Sequence, residues 1–302
     1  MRKRKAFIFW FLVPTLVCLI VFYVYPTFRT VSMSFFSAAF VTDDASAWTY
    51  VGSANYINLF RTSLFRVSLV NAMKIWLLEG AVVILIALLF SVILTSGIVG
   101  KSFWRSMLYL PNVISAAALS AMWIHYVFNN QYGLFRTMFM TLGWKSLAQF
   151  QWTASENMFV SMMIAYTYAS VGYYVLILTA GIDSIASDYY DVAEIEGAGM
   201  FKKTIHITVP FLKPVFKRVI ILWTAGAIGF FTYSKLFTLY PELSTITPVV
   251  YMYTAVFGQQ SASGVGGAAL NVGGGAAVGV IVMIIVLLVN TIINRLLKDD
   301  LA

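Results

Sequence analysis

Residues 191–214, DVAEIEGAGMFKKTIHITVPFLKP, separate two long apolar runs. Their reading decides how the rest of the chain is organised. Carboxylates come first (Asp191, Glu194, Glu196), then Gly197 and Gly199, then Lys202 and Lys203, and Pro210 and Pro214 close the stretch. An apolar chain gains nothing from such an interruption unless the interrupting segment has work to do outside the apolar medium.

That medium is lipid. Of 302 residues, 60% are hydrophobic and 11% charged, whereas a soluble protein carries about a quarter charged residues. Too little charge is present to coat a water-facing surface. Six runs reach the roughly 20 apolar residues that cross a bilayer as helix: 6–25, 75–96, 106–128, 157–182, 219–240 and 271–294. The expected fold is an all-α polytopic membrane protein, one transmembrane domain over 1–302 with six spans and both termini on one side. Pro14 in the first run is tolerable as a kink. That run is too long for a typical signal core, and no small-x-small site closes it, so it is expected to be a retained span. Only Glu79 and Lys235 bring ionisable Asp, Glu, Lys or Arg groups into the runs. Glu79 lies about one turn from the outer span boundary, where a snorkelling or water-exposed structural role and a transport role both stay open.

Placing the N-terminus inside puts thirteen Lys and Arg in the inner segments against five in the outer ones. This bias makes 191–214 cytoplasmic. It also accounts for the net charge of +8 without nucleic acid. The outer segment 29–66 is aromatic and polar enough to fold back on the membrane, and the Gly-rich stretch within 258–279 is expected to be flexible. Gly275 and Gly279 form a G-x-x-x-G, which favours close helix packing.

Tempting motifs fail on inspection. TSGIVGKS (95–102) has Thr95 where a phosphate loop needs Gly and follows a lipid-spanning helix instead of a strand. GVGGAA (264–269) lacks a surrounding βαβ unit. Cys18 stands alone, and His125 and His206 fall on opposite sides of the membrane, so no disulfide framework or metal site is expected.

The segment 183–217 reads as two short helices. Ser187 is the expected N-cap, with Asp188 and Asp191 complementing the dipole in the first turn. The first helix runs to about Glu196, and Gly197 gives a left-handed stop. A second helix covers roughly Met200 to Thr208, and Pro210 and Pro214 then redirect the chain. The membrane surface explains the basic half. It does not explain Asp183, Asp188, Asp191, Glu194 and Glu196. Small residues (Ala193, Gly197, Ala198, Gly199) allow close backbone approach. The pair therefore reads as a plug for a groove on a soluble partner, with carboxylates offered to Arg side chains.

At these residues the sequence resembles the cytoplasmic loop of membrane subunits of binding-protein-dependent ATP-binding-cassette (ABC) sugar importers, the maltose-transporter-like carbohydrate-uptake family. That pattern runs E-A-A, three residues, G, nine residues, I-x-L-P. Here Asp191, Val192 and Ala193 occupy the E-A-A positions, Gly197 the glycine, Ile207 the apolar position, Val209 the usual Leu and Pro210 the proline. Asp replaces the leading Glu, and the shorter side chain reaches less far. VGSANYINLF (51–60), YLPNVISAAALSAMW (109–123) and NRLLKDDLA (294–302) resemble other parts of the same subunits, so the likeness covers nearly the whole chain.

The resemblance implies a permease in a prokaryotic cytoplasmic membrane that performs no catalysis and holds no cofactor. It also implies partners: two ATPase subunits docking on 183–217, a second and different permease, and an extracytoplasmic solute-binding protein. Docking contacts would come from Asp191, Ala193, Glu194, Glu196, Gly197, Ala198, Gly199, Ile207 and Pro210. Sugar contacts would come from aromatic and hydroxyl groups at membrane depth or the outer mouth, with Trp123, Tyr126, Tyr173, Tyr174, Thr232 and Tyr233 as candidates. The same side chains could instead form an interfacial belt. Hydropathy alone also permits a self-contained secondary carrier, but the spans offer almost no ionisable pair for ion coupling.

Overall fold

The computed structural model describes residues 2–38, 40, 42–238, 243–258 and 270–297. Residues 259–269, half of the Gly-rich stretch 258–279, and the end of NRLLKDDLA lie outside the described residues, while 272–279 is helical rather than flexible. Among the described residues, five helices are long and apolar enough to cross a membrane, or six if one bent pair counts as a single span. The chain divides into two compact units, one of residues 1–66 with 251–284 and the other of 67–250 with 285–302.

In the first unit, a helix from Arg2 carries the membrane-length segment α1, Phe9–Met33. None of that segment's apolar window is buried within this chain, so it offers its Phe, Trp and Leu side chains to lipid or to other subunits. A π turn at Ile20–Val24 precedes Pro26. The wider turn absorbs the missing proline donor without ending the helix. A short hairpin, β1 (Phe36–Ser37) and β2 (Thr49–Tyr50), leads into α2 (Ala54–Arg61). Buried Asn55 ties α2 down by donating to the carbonyls of Ser34 and Phe36, each at 2.9 Å.

The second unit is built on α3 (Ser63–Thr95), which enters it from Val67 onward. It is followed by α4 (Lys101–Val113), α5 (Ala116–Val127), α6 (Leu134–Thr141) and α7 (Met158–Asp183). Helices α8 (Ser187–Ile195) and α9 (Met200–Lys203) then form the loop, and α10 (Lys213–Ile228) and α11 (Thr232–Phe237) return to the membrane. Polar clasps within the apolar core set the register. Ser91 donates to the Val175 carbonyl at 3.1 Å, Trp76 to Thr224 Oγ1 at 2.9 Å, and Trp223 to the Trp76 carbonyl at 2.9 Å. In lipid these bonds supply directionality that apolar packing lacks. Gly172 lets α7 approach the α4 backbone at Leu108, and Gly80 makes room for Trp223.

Helix α12 (Pro248–Phe257) from Tyr251 onward and α13 (Val272–Leu296) as far as Ile284 belong to the first unit. There Gly275 faces Val256, and Gly279 leaves a Cβ position 3.6 Å from Met252 Sδ and 3.7 Å from Thr30 Cγ2. The G-x-x-x-G is a packing seam.

Two expected spans are not continuous helices. The run 106–128 is bent by 95° between α4 and α5. Pro111 removes a ladder donor, Ile114 is extended (ψ 139°), and Ser115 caps α5 by accepting from Ala118 N at 3.3 Å. The run 219–240 is interrupted at 229–231. Gly229 ends α10, and the freed Phe230 carbonyl accepts from Thr247 Oγ1. Buried carbonyls need such partners. Glu79 also departs from the water-exposed reading: it is 6% exposed and accepts from Thr167 Oγ1 at 2.5 Å, buried between α3 and α7 rather than reaching water.

Candidate functional site: a two-helix loop and a tyrosine-lined cavity

The loop begins at Asp183, the last residue of α7. Its carboxylate accepts from Lys101 Nζ at 2.9 and 3.2 Å and from Arg105 at 3.2 Å. These cations lie one turn apart on α4, so one side chain joins α7, α4 and the start of the loop. The lysine of the phosphate-loop look-alike is thus an ion-pair partner.

Helix α8 is capped one residue earlier than expected. Ala186 is the N-cap and makes no side-chain cap bond, and Ser187 is the first helical residue. Its C-terminus closes as a Schellman turn. Ala198 N donates to the Ala193 carbonyl at 2.8 Å, Gly197 N donates to the Glu194 carbonyl at 3.0 Å, and Gly197 has φ +71°. A side chain here would be strained by the backbone alone, since nothing crowds the position. Past α9, a π turn at Thr204–Thr208 carries the helix through Pro210 to Phe211. Pro210 therefore does not stop it, and the turn falls at Leu212.

The two helices are cross-braced. Lys203 donates to Glu194 Oε2 at 2.8 Å, Tyr190 OH meets Thr208 Oγ1 at 3.0 Å, and the Tyr189 and Phe211 rings lie 4.7 Å apart. The hydrogen bond and charge of Lys203 hold the Glu194 carboxyl below its usual value. The brace is present above the ordinary carboxylate range and is lost as pH falls through that lowered value. Asp191, Glu196, Gly197, Gly199 and Pro210 are exposed, while Ala193, Ala198 and Ile207 are partly covered. Beside the carboxylates stand Val192 (60% exposed), Ile195 (84%) and Phe201 (77%). Sequence reading passed over Ile195 and Phe201. Large apolar groups between carboxylates on a stretch already expected outside the membrane were the available signal.

Deeper in the same unit is a cavity of about 240 Å³ lined by Asn112, Tyr166, Ser170, Tyr173, Tyr174 and Tyr233, among others. Three candidates from the sequence, Tyr173, Tyr174 and Tyr233, meet there. Trp123 instead packs against Phe128, Phe135 and Tyr168 at 5.1, 5.9 and 5.5 Å, and neither Tyr126 nor Thr232 lines the cavity. Tyr166, Ser170 and Tyr173 went unnoticed as a set, although spacings of four and three place them on one face of α7. The Tyr166 ring is 5.3 Å from that of Tyr233 and 4.9 Å from that of Phe230. Among the described residues, no Asp, Glu, Lys or Arg lines the cavity. It offers amide, hydroxyl and aromatic surface, suited to an uncharged polar solute.

The chain is a multi-pass helical protein with a braced, carboxylate-bearing two-helix loop, and it is similar to membrane-spanning permease proteins of ABC transporters. The homologues are sugar ABC transporter permeases. The arabinooligosaccharides transport system permease protein AraP of Bacillus subtilis is 28% identical over 302 residues, covering 97% of this chain and 89% of that protein. The probable ABC transporter permease protein YurN of the same organism is 26% identical over 232 residues, 76% of this chain and 78% of its own. Among solved structures, a chain of the bacterial alginate ABC transporter in complex with alginate pentasaccharide-bound periplasmic protein shares the fold. Its TM-score is 0.78 at 19% identity, over 98% of this chain and 96% of that one. No family model matches the chain. The family resemblance read from the 191–214 stretch is borne out by these relatives.

Proposed function

We propose that this multi-pass subunit forms half of the translocation path for a neutral oligosaccharide and takes its energy from two ATPase subunits gripping the 183–217 loop in the cytoplasm. The observation that carries this reading is the loop itself: two cross-braced helices on a left-handed glycine, presenting Asp191 and Glu196 beside bare Val192, Ile195 and Phe201. Carboxylates around an apolar knob fit a groove whose rim carries Arg. Both termini then lie in the cytoplasm, a second permease completes the path, and an extracytoplasmic binding protein delivers solute. The alginate transporter's complex with a periplasmic protein supports the last of these.

Two facts support a neutral sugar. AraP is a permease for arabinooligosaccharides, and among the described residues the tyrosine-lined cavity has no cationic side chain of the kind an acidic polysaccharide would require. The test is ATP hydrolysis by the complete reconstituted importer, screened against arabinotriose, maltotriose, diacetylchitobiose, lactose and an alginate oligosaccharide. Stimulation by one of the neutral sugars is the expected result. Stimulation by alginate alone rejects the substrate reading, and no response to any of the five rejects the transport reading.

Two substitutions probe the coupling. Asp191→Lys places a like charge against the proposed Arg, and the ATPase subunits should co-purify less well at low salt, with the difference narrowing as salt screens the pair. Asp183→Asn should cost little stability, since exposed ion pairs contribute about 0.2–1 kcal/mol each. It should nonetheless lower uptake more than it lowers ATP hydrolysis, because it frees the loop from α4. Equal losses of both activities would reject that role.

A further inference from the structure

One polar cavity plays no part in the reading above. It lies wholly in the first unit and holds about 340 Å³, at the lower end of the range of about 300–1,000 Å³ for small-molecule sites. Asn55, Asn58, Thr62, Tyr251, Thr254 and Asn271 supply its polar groups, and among the described residues no Asp, Glu, Lys or Arg lines it.

Some of these groups build the frame. Asn55 ties α2 to the hairpin strand, as described, and Asn271 Oδ1 accepts from Gly274 N at 2.7 Å. Thr62 and Thr254 donate to the carbonyls of Asn58 and Tyr251 at 2.9 and 2.8 Å, which leaves lone pairs on both hydroxyls for a ligand to donate to. Two further groups have no such duty. Among the described residues the Asn58 amide and the Tyr251 hydroxyl make no hydrogen bond, while the Tyr251 ring is held against Phe65 with centroids 5.5 Å apart. An ion would find no countercharge here, and a wholly apolar ligand would leave the amide and hydroxyls unpaired. A ring bearing several hydroxyls satisfies both conditions.

We infer that this cavity is a second carbohydrate site, which holds one ring of a neutral oligosaccharide on the extracytoplasmic face. It rests on the proposed transport reading for its sidedness and its class of ligand. Asn58 and Tyr251 supply the free polar groups, Thr62 and Thr254 accept from sugar hydroxyls, and the Tyr251 ring provides apolar surface.

Cys18 is the only cysteine, so Cys18→Ser gives a clean background for Asn58→Cys at an exposed position. The complete importer carrying both changes is labelled with a maleimide in the presence and absence of arabinotriose, maltotriose, diacetylchitobiose and lactose in turn. The sugar that stimulates ATP hydrolysis should slow labelling about fivefold or more. Adding Tyr251→Phe and Thr254→Val should raise its half-protecting concentration about tenfold, the effect of roughly two lost hydrogen bonds. Unchanged labelling with every sugar overturns the inference, as does equal protection by an alginate oligosaccharide. Protection by the sugar-free binding protein alone also overturns it and assigns the cavity to a protein loop. Stimulated hydrolysis without protection defeats this site and leaves the transport reading standing, whereas absent stimulation defeats the transport reading itself.

Discussion

Gly197→Pro should leave the chain inserted and folded but abolish ATP-driven uptake. Proline fixes φ near −65°, and Gly197 sits at +71° with its N–H donated to the Glu194 carbonyl. The substitution removes the donor and forbids the turn, so α8 and α9 lose the relation that Lys203 and Tyr190 brace. Gly197→Ala is the graded control. Its side chain meets no neighbour, and the left-handed backbone alone costs about 1–2 kcal/mol, so uptake should fall without vanishing. The check is uptake of the stimulating sugar together with co-purification of the ATPases. Normal uptake by the proline variant would remove the loop from the coupling path.

The second large effect is structural. A Cβ on Gly172 would lie 2.7 Å from the Leu108 carbonyl carbon and 2.8 Å from Tyr109 Cα, both backbone atoms that cannot rotate away. Gly172→Ala must push α4 off α7 and strain the Asn112 bond to the Ala169 carbonyl at 3.4 Å. Overpacking of this kind costs about 1–3 kcal/mol, more than the roughly 1 kcal/mol that alanine gains over glycine in a helix. Gly226→Ala makes a clean contrast, because its nearest neighbour, Tyr166 OH, is 3.9 Å away. Tryptophan-fluorescence melts in detergent should show a lower midpoint for Gly172→Ala and an unchanged or higher one for Gly226→Ala. The reverse order would contradict the α4–α7 packing.

These positions also show how much was legible in the sequence. The runs 157–182 and 271–294 match Met158–Asp183 and Val272–Leu296 to within two residues, because sustained hydropathy alone sets the length of an uninterrupted helix. The interruptions at 114–115 and 229–231 escaped that signal. Whether a helix may break in an apolar run depends on who receives the freed carbonyl, and for Phe230 that partner is Thr247, outside the run. The burial of Glu79 escaped that signal for the same reason: its partner Thr167 is 88 positions away. The left-handed turn at Gly197 was legible because the glycine followed a helical stretch. The convergence of Tyr166, Tyr174 and Tyr233 was not, since it needs α7 and α11 to meet.

The account stands or falls on where the energy enters. Sealed vesicles carrying this chain and its partner permease, with the binding protein outside and radiolabelled stimulating sugar added, should take up nothing until the ATPase subunits and lumenal ATP are supplied. With them, accumulation should run against the gradient. Accumulation by the permease subunits alone, without ATPases or nucleotide, would contradict it.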